Sequence, residues 1–139
     1  MSATVLYTPE VLALATSLAE IPWDAGLPLA SEARSRSCGS TIALSLALDG
    51  KGRIERLGVK SHACAIGQAA AAIFAKSAWG QTLEEVALHA GRIEAWLAGE
   101  AELPDWPGLG AIAAARDYPA RHGAIMLAWN AARQLLPTP

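Results

Sequence analysis

The chain has 139 residues, 53% of them hydrophobic and 17% charged, with a formal net charge of -2; that length fits one domain over residues 1–139, with a core that needs no disulfide. The near-neutral charge, with no basic block and no basic run interleaved with aromatics, excludes nucleic acid as an expected partner. No apolar run reaches the roughly 18 residues of a membrane span, and the opening MSATVLYTPE has no basic or apolar leader, so the expected compartment is a reducing cytoplasm in which Cys38 and Cys64 stay thiols.

Taken in order, Thr8-Pro9-Glu10 starts a helix, with threonine as cap, proline at the first helical position and an acid in the first turn. Val11, Leu14, Ala15 and Leu18 form its apolar stripe, and Ile21-Pro22 ends it. Trp23 to Ala30 reads as a loop. After the polar run EARSRS and Cys38-Gly39-Ser40, the segment Thr41 to Asp49 alternates with Ile42, Leu44, Leu46 and Leu48 on one face, the period of a half-buried strand. Asp49-Gly50-Lys51-Gly52 is a tight turn, and Arg53 to Lys60 returns as the second arm of a hairpin with a polar outer face. A two-stranded hairpin alone is marginal, so a third strand is expected in Ala33 to Ser37, which leaves Cys38 in the connection to the next strand. Gly39 permits an unusual backbone angle beside that sulfur.

The stretch SHACAIGQAAAAIFAKSAWG, Ser61 to Gly80, passes from strand to alanine-rich buried helix. At that junction the free N–H groups and positive dipole end of the helix favour a thiolate on Cys64. Thr82 caps a further helix, with Glu84 and Glu85 in its first turn, running to Leu97 and closed by Gly99. Glu100 to Gly110 is a rigid loop, Leu109 to Arg116 a short helix, and Pro119 opens the last helix, Ala120 to Leu136. The sum is an α+β fold: a small three-stranded antiparallel sheet with helices packed on one face.

Chemistry then concentrates at three junctions: Cys38 before a strand, Cys64 at a helix start and His122 in the first turn of the last helix. Their soft sulfur and imidazole donors suit zinc or an iron–sulfur centre, although the cysteine spacing matches no zinc ribbon. His62 is read either as a fourth ligand or proton shuttle for Cys64, or as an exposed helix cap. His89, between Leu88 and Ala90, reads as a structural histidine. Arg36, Lys60 and Arg121 lie near the expected site, with a solvated face as their plainer account. The aspartates are turn residues, the five tryptophans core residues, and neither a Ser-His-Asp triad nor a glycine-rich phosphate loop is present. A non-enzymatic protein is expected.

The order Cys-Gly-x, hairpin, x-Ala-Cys-Ala, alanine-rich helix and Gly-x-Thr resembles the U-type iron–sulfur cluster scaffolds (NifU N-terminal, IscU and SufU-like), which share the SufE/NifU-like fold. Cys38-Gly39-Ser40 aligns with the family's Cys-Gly-Asp, and His62-Ala63-Cys64-Ala65-Ile66 with its Gly-Cys-Ala-Ile segment. Gly80-Gln81-Thr82-Leu83-Glu84-Glu85 resembles its Gly-(Lys/Arg)-Thr-hydrophobic-Glu-Glu helix start, and Pro119 to Trp129 its last helix. The resemblance implies a scaffold that receives sulfide from a cysteine desulfurase, holds iron or a [2Fe–2S] cluster, with zinc as the alternative, and passes its cargo to recipient apo-proteins. The ligands it implies are Cys38, Cys64 and His122, with His62, Ser40 and Arg121 as further ligands or neighbours. Ser40 stands where the family has aspartate, and Gly123 where it has its third cysteine. The Leu-Pro-Pro-Val-Lys chaperone-recognition segment of the IscU branch is absent. Two other roles fit the same residues: a metal-free persulfide acceptor for a desulfurase, and a zinc-stabilised interaction module.

Overall fold

The computed structural model describes residues 6–36 and 39–136, and it has the α+β architecture that the periodicities predict. Helix α1 (Pro9–Ser17) is capped by Thr8, whose Oγ1 accepts from the Val11 N–H, and a 3-10 turn extends it to Glu20. Strands β1 (Leu29–Arg34), β2 (Thr41–Leu48) and β3 (Ile54–His62) form an antiparallel meander with β2 in the centre. Then come α2 (Ala65–Ala78), α3 (Leu83–Leu97), a kinked 3-10 segment (Leu109–Asp117) and α4 (Pro119–Arg133). Among the described residues no helix is long and apolar enough to cross a membrane.

Two expectations for the sheet need correction. The third strand lies at Leu29–Arg34, earlier than Ala33 to Ser37. Its period of two is masked because Ser31 takes a position where an apolar residue would announce a strand; the Ser31 hydroxyl instead donates to the Ala131 carbonyl of α4. The outer face of the sheet is also less polar and less open than alternation suggests, since Ala43 and Ser45 are buried. The chain after α1 bonds to the edge of β3 (Val59 N–H to Ile21 O, 3.1 Å) and bends over that face, where the Asp24 N–H donates to Ser45 Oγ. Gly58 permits this crossing, because a Cβ there would lie 2.7 Å from both Asp24 N and Pro22 O. The free edge of β3 is thereby covered.

The core is built around α2, which is buried nearly all round. Its alanines let α1 and α4 approach closely, and a Cβ at Gly67 would lie 2.9 Å from Ala63 Cβ and 3.3 Å from Ala124 Cβ. Large side chains fill the other end. Trp106, carried in by the loop after α3, stacks on Phe74 (centroids 5.7 Å apart), meets Trp129 edge-on at 5.2 Å, and donates its indole N–H to the Ile73 carbonyl. His89 packs edge-on against Trp106 at 5.2 Å, in keeping with a structural role. Of the five tryptophans, Trp96, Trp106 and Trp129 are core, whereas Trp23 and Trp79 are exposed, a correction to the expectation for all five.

The connections follow their local chemistry. Asp49 Oδ1 accepts from the Lys51 and Arg53 N–H groups in the β2–β3 turn, and those bonds, the one from Arg53 foremost, hold its carboxyl below the ordinary 3.8. Thr82 and Glu85 form a reciprocal capping box on α3, and the bonds from Thr82 hold the Glu85 carboxyl below the ordinary 4.5.

Candidate functional site

The register of the sheet decides which junctions meet. Arg34 pairs with Thr41, and Thr41 with His62, so the β1–β2 loop and the β3–α2 junction emerge side by side at one end of the sheet. The described ends of that loop are bonded: the Ser35 N–H donates to the Ser40 carbonyl at 2.8 Å, the Gly39 N–H to the Ser35 carbonyl at 3.1 Å, and Gly39 takes φ of 68°, the left-handed conformation its lack of a Cβ allows. Gly39, Ser40, Ser61, His62, Ala63, Cys64 and Gln68 together line a cleft of about 470 Å³.

Within that cleft Cys64 is the N-cap of α2, with extended φ/ψ of -64° and 168°, and its sulfur makes no capping hydrogen bond. The N–H groups that open a helix lack intrahelical acceptors, so they and the helix dipole face whatever negative charge the sulfur carries. Cys64 is half-buried, accessible to a reagent from the cleft yet set on a rigid element. His62 is the last residue of β3 and exposed; the cap is Cys64, so the reading of His62 as a helix cap is corrected. Ser40 is buried. The Ser61 hydroxyl oxygen is buried and has no hydrogen-bond partner.

The remaining expected residues stand as follows. Cys38 lies outside the described residues. His122 is in the first turn of α4, but it lines a different cleft, between α3 and α4, with Glu94, Leu97, Ala98, Gly123, Met126 and Asn130. Its Nε2 lies 2.7 Å from the Arg116 carbonyl oxygen; a carbonyl only accepts, so Nε2 carries a proton, and in the neutral ring the lone pair is on Nδ1. Arg121, on the same turn, is half-buried. Lys60 lines a third cleft on the outer face of the sheet, with Trp23 and Glu32, and Arg36 is exposed in the β1–β2 loop. Among the described residues no three His, Cys, Asp or Glu side chains gather into a metal-holding group. The residue that sequence reasoning passed over is Gln68, buried from view in an apolar, alanine-rich run; its polarity at a helix position facing the strand junction was the available signal.

Comparison with known proteins bears on the fold and the family. No curated protein matches the chain. Among solved structures, it superposes on the N-terminal part of a nitrogen-fixing NifU-like protein from Brucella abortus with a TM-score of 0.84, at 24% identity over 93% of this chain and 90% of that one. It superposes equally well, at 0.84, on a protein of Fervidobacterium islandicum AW-1 described as an iron–sulfur cluster assembly scaffold for the SUF system, at 20% identity over 96% of this chain and 98% of that one. At these identities the likeness establishes the fold. The sequence model of the NifU-like N terminal domain matches residues 22–124, a span from the strand-covering segment to the second turn of α4, and by that match the chain belongs to the NifU-like N-terminal domain family.

Proposed function

We propose that this chain is a scaffold or carrier in iron–sulfur cluster assembly. It takes iron or a [2Fe–2S] cluster as cargo on Cys38, Cys64 and an imidazole, receives sulfur from a cysteine desulfurase, and passes sulfur or cluster to recipient apo-proteins. The observation that carries this reading is the gathering of Gly39, Ser40, His62 and Cys64 around one cleft in a chain of this family. The role is non-enzymatic, and zinc is the alternative cargo, since thiolate and imidazole donors suit both metals.

Each residue has a distinct part. Cys64 offers a sulfur at a helix N-terminus, where backbone N–H groups favour a bound anion. Ser40 adds a neutral oxygen where the related scaffolds have a carboxylate, which lowers the negative charge of the ligand set. Gly123 has no side chain to ligate or to relay sulfur, so the third ligand falls to a histidine. His62 is favoured by its place on the Cys64 cleft. His122 has the backbone support usual for a metal-binding histidine, a bond to the Arg116 carbonyl that orients the ring, but it lines the α3–α4 cleft and serves as the ligand only if the first turn of α4 brings it round to Cys64.

Anaerobic reconstitution with iron and sulfide tests the proposal. Visible cluster absorbance and bound iron are expected in the parent chain, lost in Cys64→Ala and Cys38→Ala, and weakened in whichever of His62→Ala and His122→Ala removes the imidazole ligand. A parent chain that binds neither iron nor zinc sinks it. A gain of one sulfur in mass after incubation with a desulfurase and cysteine, with no metal bound, would put the persulfide acceptor in its place.

A further inference from the structure

Gln68 holds both peptide units that flank Cys64. Its backbone N–H donates to the Cys64 carbonyl at 2.9 Å, the first rung of α2. Its side-chain Nε2 reaches back and donates to the Ala63 carbonyl at 2.9 Å. The two peptide planes on either side of one α-carbon set its φ and ψ, and with them the direction of the Cα–Cβ bond. One residue therefore holds the Cys64 backbone, and with it the Cα–Cβ bond that carries the sulfur at the cleft. The carbonyl of the residue before an N-cap has no place in the helix ladder, so the Ala63–Cys64 peptide lacks the support that the ladder gives the next one. Ala63 is also braced from behind, since its Cβ faces the bare backbone of Gly67.

The same side chain forms a partition. Gln68 and Ser61 line the Cys64 cleft and also a neighbouring, largely apolar groove beneath α1, walled by Ala15, Leu18, Pro22 and Val59. A residue that only completed the core at this position would be served by another alanine, as in the turn that follows. An amide at the end of two methylenes supplies the reach and the N–H donor that the Ala63 carbonyl requires.

We propose that Gln68 is a positioning residue for Cys64, acting through the Ala63 carbonyl to hold the cysteine in the one backbone conformation that aims its sulfur into the cleft. Leucine at this position keeps the bulk without a donor. Glutamate keeps the shape but sets a carboxylate oxygen against a carbonyl oxygen, so both lose the bond for different reasons.

The assignment is tested without metal, so it stands or falls separately from the cluster reading. In a Cys38→Ser background, a nitroxide label on Cys64 should give a single immobilised electron-spin-resonance spectrum. Gln68→Leu and Gln68→Glu should each add a mobile component, whereas Lys76→Leu, farther along the same helix, should leave the spectrum unchanged. A purely structural role would lower the melting temperature without loosening the label at 25 °C. Native chain provides the second measurement: one proton of its Gln68 side-chain amide should be protected from solvent exchange relative to the other. Spectra of both Gln68 variants that superimpose on the parent, or a Gln68 amide that exchanges freely in the native chain, would overturn the proposal.

Discussion

The two ends of α2 do opposite work with the same helix. Toward its C-terminus, Ala69 to Ala75 and Ala78 are sealed against α1, α4 and the Phe74–Trp106–Trp129 cluster, with almost no exposed surface. Toward its N-terminus, Cys64 and Gln68 are half-buried and border an open cleft. Apolar packing is strong and non-directional, and it sets where the helix lies. Hydrogen bonds and a single small residue then set where the sulfur points. A rigid rod with one exposed end is the simplest way to give a reactive atom a fixed position while keeping it reachable, because the sealed end supplies the stability that the open end lacks.

The largest way to break this contrast is Trp129→Ala at the sealed end. Trp129 is fully buried, and its loss should cost about 3–5 kcal/mol, read as a lower denaturant midpoint. The rate at which a small thiol reagent modifies Cys64 in the remaining folded protein should be little changed. Gly67→Ala sits on the boundary and should be felt on both sides. Its new Cβ would meet Ala63 and Ala124 at 2.9 and 3.3 Å, for about 1–3 kcal/mol of overpacking together with an altered Cys64 modification rate. A Gly67→Ala protein with normal stability and normal reactivity would show that the two ends are not joined there.

Thr82→Ala sharpens the contrast from outside α2. It removes one half of the α3 capping box and should cost about 1 kcal/mol with no change at Cys64, measured by the same pair of experiments. The smallest effect is acid sensitivity. The folded state holds the carboxyl of Glu85 below its ordinary 4.5 and that of Asp49 below 3.8, so their contribution is complete above those values and fades as the pH falls through the lowered ones. Glu85→Gln should lose that contribution near neutrality, where it is complete, and flatten the stability profile below about pH 4.5, with the least change at the acid end where the contribution is already gone. A profile that keeps its full slope in that variant would place the acid sensitivity elsewhere.

Much of this architecture was legible because its signals are local. The alternation of Ile42, Leu44 and Leu46, the Thr8 and Thr82 caps, the glycine turn after Asp49 and the alanine run after Cys64 each depend on neighbours a few residues away. The first strand was not legible at its true place, since Ser31 hides the period and finds its partner 100 residues along the chain. The outer face of the sheet misled for the same reason: the segment that covers it comes from beyond α1.

Sequence alone determined every element but the first strand, the order of those elements, the thiol at a helix start and the family resemblance, since periodicity, capping and turn chemistry are properties of short stretches. Tertiary structure decided which of those stretches meet. Strand register brings Gly39 and Ser40 to His62 and Cys64, the close Gly67–Ala124 contact sets how α4 passes, and the turn of α4 directs His122 to the α3 side. It also turned an inconspicuous glutamine into the residue that grips the cysteine on both sides. A hydrogen bond needs both partners at one distance and one angle, and only the folded chain supplies them together.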